Sequence, residues 1–541
     1  VSGDGLEREI PGKRNTGMLK NACVKTRETG EFKVRRIDTM SFKARMIKGL
    51  PVFLAIFVLI GLAGNAFAHR DGLAGREARH IVLLIGDGMN IEHEIAASRY
   101  LYGSDFDLSF HKLPYQGNVA TWDVTTYKHW SGGTYDPDAI VPTLGYDPAR
   151  GGKRPYPLAP ELPGAQAYHV AKATDSASAA TAWATGYKTD EGNLSWLPGD
   201  PDGGALKTIA ELLRERKGYA IGVVSTVPFS HATPAAHVSH NKSRNNYTAI
   251  GTEILTVVKP EVVIGGGHPG YDSTPTYNYI SSADYNAFKS GTYSGEYVFV
   301  ERAPGVDGGL SVLLAAQYAV AGGKKLFGLY GMEGGGNFES LEPNDLPGTP
   351  LVTQATRENP TFAEATLAAL KVLSQDPDGF FLMSEQGDID WANHANDFQR
   401  MVGTVKDLHD GVQAVIDFVN RPDDDMDWDN TLLIVTSDHS NSYMRNQVVM
   451  GAGDLPAQNG VGSCGYGGPA CTYPDGEVTY GSTNHTNELV RLYAMGAGAH
   501  RFNKHEGKWY RGTRILDNTQ LFHVMMEAAG EPVPSPLTVL P

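Results

Sequence analysis

The sequence predicts an α/β protein with one large, mostly parallel central sheet and helices on both faces. Three observations lead there. Six short runs are almost continuously apolar, over 80–85, 219–224, 262–264, 325–330, 380–383 and 431–436. A strand with one wet face would alternate apolar and polar residues, so these strands are covered on both faces. Between them stand helical segments over 176–185, 206–217, 362–373 and 401–419, the last with apolar residues at helical spacing, and alternation of strand and helix builds a parallel sheet. Finally, the strand runs give way to Gly, Asp, Ser or Glu. Sheets of this class bind ligands beyond the carboxyl ends of their strands, so those residues are where chemistry is expected.

The 541 residues are 41% hydrophobic and 20% charged, which suits a core-burying globular protein and excludes disorder as the dominant state. Lys and Arg number 46 against 61 Asp and Glu, a net charge of −15. That balance excludes a broad nucleic-acid footprint, and no nucleic-acid partner is expected. Residues 40–68 carry Lys43, Arg45 and Lys48, an apolar run over 52–62, and then Ala66-Phe67-Ala68. This is the pattern of a cleaved signal peptide, with an uncleaved anchor as the alternative; the run is short for a membrane span. Cleavage would start the mature chain at His69, exported to a periplasm or the medium, with no stable membrane association. Residues 1–39 show no apolar periodicity and are read as an upstream extension outside the fold.

Residues 1–68 hold 12 basic and 6 acidic side chains, so the remainder is more acidic still. Cys23 goes with them, leaving Cys464 and Cys471, read as one disulfide across a Gly-rich loop. A zinc knuckle would need further ligands, and no His or Cys stands close enough. Length alone would allow several domains. The segments 128–163, 269–296 and 440–484 nevertheless hold too few apolar residues for interiors of their own, so residues 69–541 are read as one domain with insertions. The acidic loop 423–430 lacks the spacing and glycine of a calcium-binding EF-hand and is read as a solvated turn.

Carboxylates and imidazoles follow three strand runs. Asp87 stands after the first, in Ile85-Gly86-Asp87-Gly88-Met89; Asp438-His439 follows 431–436; and Glu385, Asp390 and His394 follow 380–383. Asp390 and His394 are four apart and share a face if a helix starts there, with Glu385 on the approach loop. His485 lies on a later loop. In an acidic chain with no thiolate cluster, such donors suit Zn²⁺ or Mg²⁺. Ser176 opens a helix of small residues in Thr174-Asp175-Ser176, where free N–H groups and the helix dipole favour a phosphate. His231 and Thr233 lead on to Arg244, whose planar fork suits two phosphate oxygens. His129, His169 and His409 are read as surface or packing residues.

In these motifs the sequence resembles the metal-dependent alkaline phosphatases, through nearly the whole chain after residue 68. The resemblance is carried in order by Asp87-Gly88, Asp175-Ser176-Ala177, Ala232-Thr233-Pro234-Ala235, Arg244, Glu385 to His394, Asp438-His439 and His485-Thr486. It implies two zinc ions and one magnesium. One zinc would be held by Asp390, His394 and His485; the other by Asp87, Asp438 and His439, with Ser176 joining; the magnesium by Asp87, Thr233 and Glu385. It implies that Ser176 is the nucleophile, passing through a phosphoserine to release phosphate from small phosphate monoesters, with Arg244 gripping the phosphate and activity highest at alkaline pH. A homodimer is implied too, as is a crown-like insertion at 440–484 stiffened by Cys464–Cys471. His231 and Trp391 occupy the two positions beside the third metal that carry Asp and Lys in one branch, and so resemble another branch. A phosphodiesterase or phosphotransferase of the same superfamily is the alternative reading, and a metal-stabilised phosphate-binding protein is the non-enzymatic one.

Overall fold

Strand β1 (His80–Gly86) is buried along its whole length. Ile81, Leu83 and Ile85 enter one apolar core and Val82 and Leu84 a second, as the two-residue period of a strand requires. The same division holds for Phe381 and Met383 against Phe380 and Leu382, and for Leu432 and Ile434 against Leu433 and Val435. The expectation of a sheet covered on both faces is met.

The computed structural model describes residues 77–534 except 271–273, 333–335, 423–424, 461–463 and 466–467. All belong to the unit Arg70–Pro541. The expected extension at 1–39 and signal peptide at 40–68 lie outside the described residues. None of the described helices is long and apolar enough to cross a membrane.

After β1 the sheet takes in β2 (Tyr115–Ala120), β3 (Ala220–Pro228), β4 (Val262–Gly266), β5 (Tyr297–Glu301), β6 (Lys325–Leu329), β7 (Phe380–Gln386), β8 (Thr431–Thr436), β9 (Val490–Gly496) and β10 (Ile515–Asp517). Their spatial order is β10-β2-β9-β8-β1-β7-β3-β4-β6-β5, with only β9 running against its neighbours. The carboxyl ends of β1, β3, β7 and β8 therefore lie side by side.

The helices that position the site are α1 (Ile91–Tyr102), α2 (Ser176–Thr185), α3 (Ile209–Lys217), α4 (Ala232–Val238), α5 (Phe362–Leu373), α6 (Asp388–His394), α7 (Phe398–Val419) and α8 (Thr519–Ala528). Residues of α2, α3, α4 and α8 fill the first core, and those of α1, α5, α6 and α7 the second. Two helices start away from the sequence expectation because side chains fix their first turns. Thr208 and Glu211 form a capping box that starts α3 at Ile209, and Asp397 caps α7 at Phe398. One correction concerns the site. Glu385 is not on an approach loop: β7 continues to Gln386, and Glu385 is fully buried in that strand.

The segments expected as insertions differ in what they add. Tyr146, from 128–163, joins Trp122, Tyr127, Tyr168 and Tyr510 in a small aromatic cluster beside β2 and β10. In 440–484, Cys464 and Cys471 are disulfide-bonded. The Cys471 N–H donates to the carbonyl of Ala395, which caps α6, at 2.9 Å, so this loop is tied to the end of the helix that carries Asp390 and His394.

Asp407 of α7 links the second core to the site. Its carboxylate accepts from the first N–H of α5, at Phe362, at 3.2 Å and from Nε2 of Gln386, at the end of β7, at 3.1 Å. Burial, more than these bonds can offset, pushes its pKa from 3.8 up to about 7. The folded chain then holds a proton that the unfolded chain releases, so this group's contribution to stability is full below pH about 4 and is lost as pH rises to about 7. Urea unfolding across that range should show Asp407→Asn with a flatter pH dependence than the wild type. Parallel curves would mean that Asp407 is ionised in the fold.

Candidate active site

The site begins with a turn that only glycine fits. At Gly88 φ is +68°, and a Cβ there would lie 2.6 Å from Oδ1 of Asp390. Without it, the chain leaving β1 brings Asp87 against the start of α6, and the Gly88 N–H donates to Oδ1 of Asp438 at 3.0 Å. Asp438 and His439 leave β8, and Glu385 comes from β7. His485 sits on a two-residue strand (His485–Thr486) paired with Ser440–Asn441. Thr233 lies buried in α4.

These residues converge. Nε2 of His394 lies 3.2 Å from Oδ2 of Asp390 and 3.1 Å from Nε2 of His485, which is 3.4 Å from Oδ1 of Asp390. Nε2 of His439 lies 3.0 Å from Oδ2 of Asp438 and 3.4 Å from Oδ1 of Asp87, and its ring stacks on His485 with centroids 3.5 Å apart. The far nitrogens of two rings are fixed by backbone: Nδ1 of His394 is 2.6 Å from the Thr483 carbonyl and Nδ1 of His485 is 2.9 Å from that of Thr174. Such contacts orient imidazoles toward a metal.

Four buried carboxylates meet here, and their ionisation shows the strain of it. Burial first, and then Asp438, Asp390 and Glu385, push Asp87 well above the usual carboxylate range. Burial pushes Glu385 to about 7, with Asp438 adding to it. Burial would raise Asp390 and Asp438 also, but His394 and His485 hold the first below its ordinary value and His439 the second. Oδ1 of Asp87, Oε1 of Glu385 and Oδ2 of Asp438 are buried without a well-aligned hydrogen bond. Two trios, Asp87 with Asp438 and His439 and Asp390 with His439 and His485, bring ligand atoms within 4.8 Å of one another. Oxygen and imidazole donors in excess negative charge fit divalent zinc or magnesium.

Ser176 is the first residue of α2, and its Oγ lies 3.2 Å from Nε2 of His439. Asp175 caps that helix by accepting from the Ser178 N–H at 3.0 Å, and its other oxygen takes Nη1 of Arg244 at 2.9 Å. Burial opposes its charge, but Arg244 and the hydrogen bonds from Ser178 together outweigh it and hold the pKa at about 2. One carboxylate thus positions both the serine and the arginine. Trp391 of α6 faces His231, which stacks on Tyr247, with ring centroids 6.1 Å and 5.5 Å apart. Burial and Arg244 keep His231 neutral, its pKa near 3.

Three supporting contacts escaped the sequence reading. Nδ2 of Asn441 donates to Oδ1 of Asp390 at 2.6 Å, Oγ of Ser225 donates to Oε2 of Glu385 at 2.5 Å, and Asp175 restrains Arg244. Asp175 alone had a local signal, its place just before a helix start; the other two are joined to their partners only by sheet register and loop pairing. Of the histidines set aside, His169 bonds the Asn487 carbonyl at 2.8 Å and His409 accepts from the Ser109 N–H at 2.8 Å.

The alkaline phosphatase family model matches residues 161–284 and 338–459. Alkaline phosphatase 3 of Bacillus subtilis strain 168 is 30% identical over 369 residues, 67% of this chain and 61% of that protein's length. The alkaline phosphatase of Escherichia coli strain K12 is 28% identical over 499 residues, covering 86% of this chain and 88% of its own. Alkaline phosphatase from the Antarctic bacterium TAB5 shares the fold, with a TM-score of 0.52 at 20% identity over 84% of this chain and 99% of its own. Taken with the geometry at the strand ends, these matches mean that the chain is an enzyme of the alkaline phosphatase family.

Proposed function

We propose that this protein is an exported phosphomonoesterase that works through a phosphoserine on Ser176. The observation that carries the reading is the placement of the Ser176 hydroxyl. It stands at the N-terminus of α2, 3.2 Å from His439, at the edge of the carboxylate cluster and next to the Asp175–Arg244 pair. In this reading Asp390, His394 and His485 hold one zinc; Asp87, Asp438 and His439 hold the other, with Ser176; and Asp87, Thr233 and Glu385 hold magnesium. Bound there, the cations supply the positive charge that ionises a hydroxyl at moderate pH and offsets charge on the attacking and leaving oxygens.

The chain's own groups do the rest. Arg244, held in place by Asp175, grips two oxygens of the phosphoryl group, and the free N–H groups at the start of α2 face the same charge. Oγ of Ser176 gives up its proton to solvent and attacks phosphorus, the P–O bond to the alcohol breaks opposite it, and the departing oxygen takes a proton from water. Water then attacks the phosphoserine from the vacated side and frees phosphate and the serine. Two displacements give net retention at phosphorus. In this reading His231 and Trp391 stand beside the magnesium ligands in place of charged side chains, as in the branch the sequence resembles. Residues 40–68 act as the export signal in this reading, and a homodimer is the expected assembly.

With a chromogenic phosphate monoester as substrate, Ser176→Ala should lower kcat on the order of 10³-fold or more. Chelation should abolish wild-type activity, and zinc with magnesium should restore it. A rate that survives both treatments would overturn the mechanism, and faster hydrolysis of the corresponding diester would favour the phosphodiesterase alternative. Arg244→Ala should weaken inhibition by inorganic phosphate by roughly 10–100-fold, the loss of a charge-assisted fork worth about 1.5–3 kcal/mol. Equal inhibition constants would remove Arg244 from the phosphate site.

A further inference from the structure

A cleft of about 480 Å³ opens among β2, β9, the loop before β10 and residues 153–154 of the first insertion. It shares no residue with the candidate active site. Lys153, Arg154, Arg491 and Arg514 line it, against a single acid, Glu506. That acid is already engaged: Nε and Nη2 of Arg514 donate to it at 2.6 and 2.8 Å, and the Tyr115 hydroxyl at 3.0 Å. The charge of the other three cations is left without a carboxylate among the described residues.

Arg491 is the informative one. It is 7% exposed, yet its guanidinium meets neutral groups, Asn118 Oδ1 through Nη1 at 2.5 Å, Gln116 Oε1 through Nη2 at 3.2 Å and the Tyr493 ring at 5.4 Å. Its Nε is buried without a well-aligned hydrogen bond. A buried guanidinium lacking a counter-charge is costly, and here it lines an open, cation-rim cleft in a chain of net charge −15. The amides hold the fork still, so little freedom is lost when an anion arrives.

We infer that this cleft binds a tetrahedral phosphate oxyanion, either free phosphate or the head group of a phosphate ester. Arg491 is the buried anchor, and Lys153 and Arg154 are the exposed cations at the mouth. The inference does not depend on the catalytic reading, since its residues are separate. The two sites are connected through the sheet: the Arg491 carbonyl accepts from Oγ1 of Thr436 at 2.9 Å, and Thr436 ends β8 two residues before Asp438.

Calorimetry on the metal-loaded protein tests it, using the Ser176→Ala, Arg244→Ala double variant to suppress the catalytic phosphate site. Inorganic phosphate and phenylphosphonate, an ester analogue that cannot be hydrolysed, are titrated separately. Lys153→Glu with Arg154→Glu changes only exposed side chains and should weaken binding in that background by about tenfold or more. Tighter binding of phosphonate would assign the cleft to ester head groups, and tighter binding of phosphate to the free anion. Failure of both anions to bind, or binding unaffected by the charge reversal, would overturn the inference.

Discussion

Repulsion among Asp87, Glu385, Asp390 and Asp438 is the constraint on which the rest of the structure depends. Two unit charges about 4 Å apart repel by about 4 kcal/mol at an effective dielectric of roughly 20. A whole domain is stable by only roughly 5–15 kcal/mol. Four such groups can be buried together only if protons or cations offset them. The upward pressure on Asp87 and Glu385 and the opposite pull of the histidines on Asp390 and Asp438 are two responses to one crowding. In the proposed reading an acidic protein thereby binds an anionic substrate: the carboxylates would gather the cations, and the cations the phosphate.

Holding that arrangement takes a rigid frame. The central strands are buried on both faces, so their ends cannot shift without disturbing two close-packed cores. Gly88 lets one strand end turn against Asp390, and Asn441 and Ser225 hold their carboxylates from neighbouring elements. Asp175 has the widest reach, since one side chain caps α2, places Ser176 and restrains Arg244.

Much of this was legible in the sequence because the strongest signals are local. The runs at 80–85 and 431–436 are continuous apolar stretches and became β1 and β8; the helix at 176–185 has its capping Asp and appears with those bounds. Four strands of the central sheet were not foreseen. Tyr115–Ala120 mixes Gln, Gly and Asn with its apolar residues, Ile515–Asp517 has three residues, and Val490–Gly496 carries a buried Arg at its second position. Tyr297–Glu301, at the sheet edge, is only half-buried for most of its length. Glu385 was placed on a loop because a carboxylate breaks an apolar run, yet the strand continues through it, stabilised by Ser225 from the next strand. Long-range partners of this kind, like the Asn441 amide on Asp390, arise from pairing and leave no mark in local spacing.

The central claim is that the cations gathered by these carboxylates make Ser176 a nucleophile. Acid-quenched single turnover with a ³²P-labelled monoester, followed by peptide mapping, tests it most directly. The account predicts label on the peptide containing Ser176 in the zinc- and magnesium-loaded protein and none after the metals are removed. Label on another residue, or turnover by the loaded enzyme with no labelled peptide under any quench condition, would contradict it.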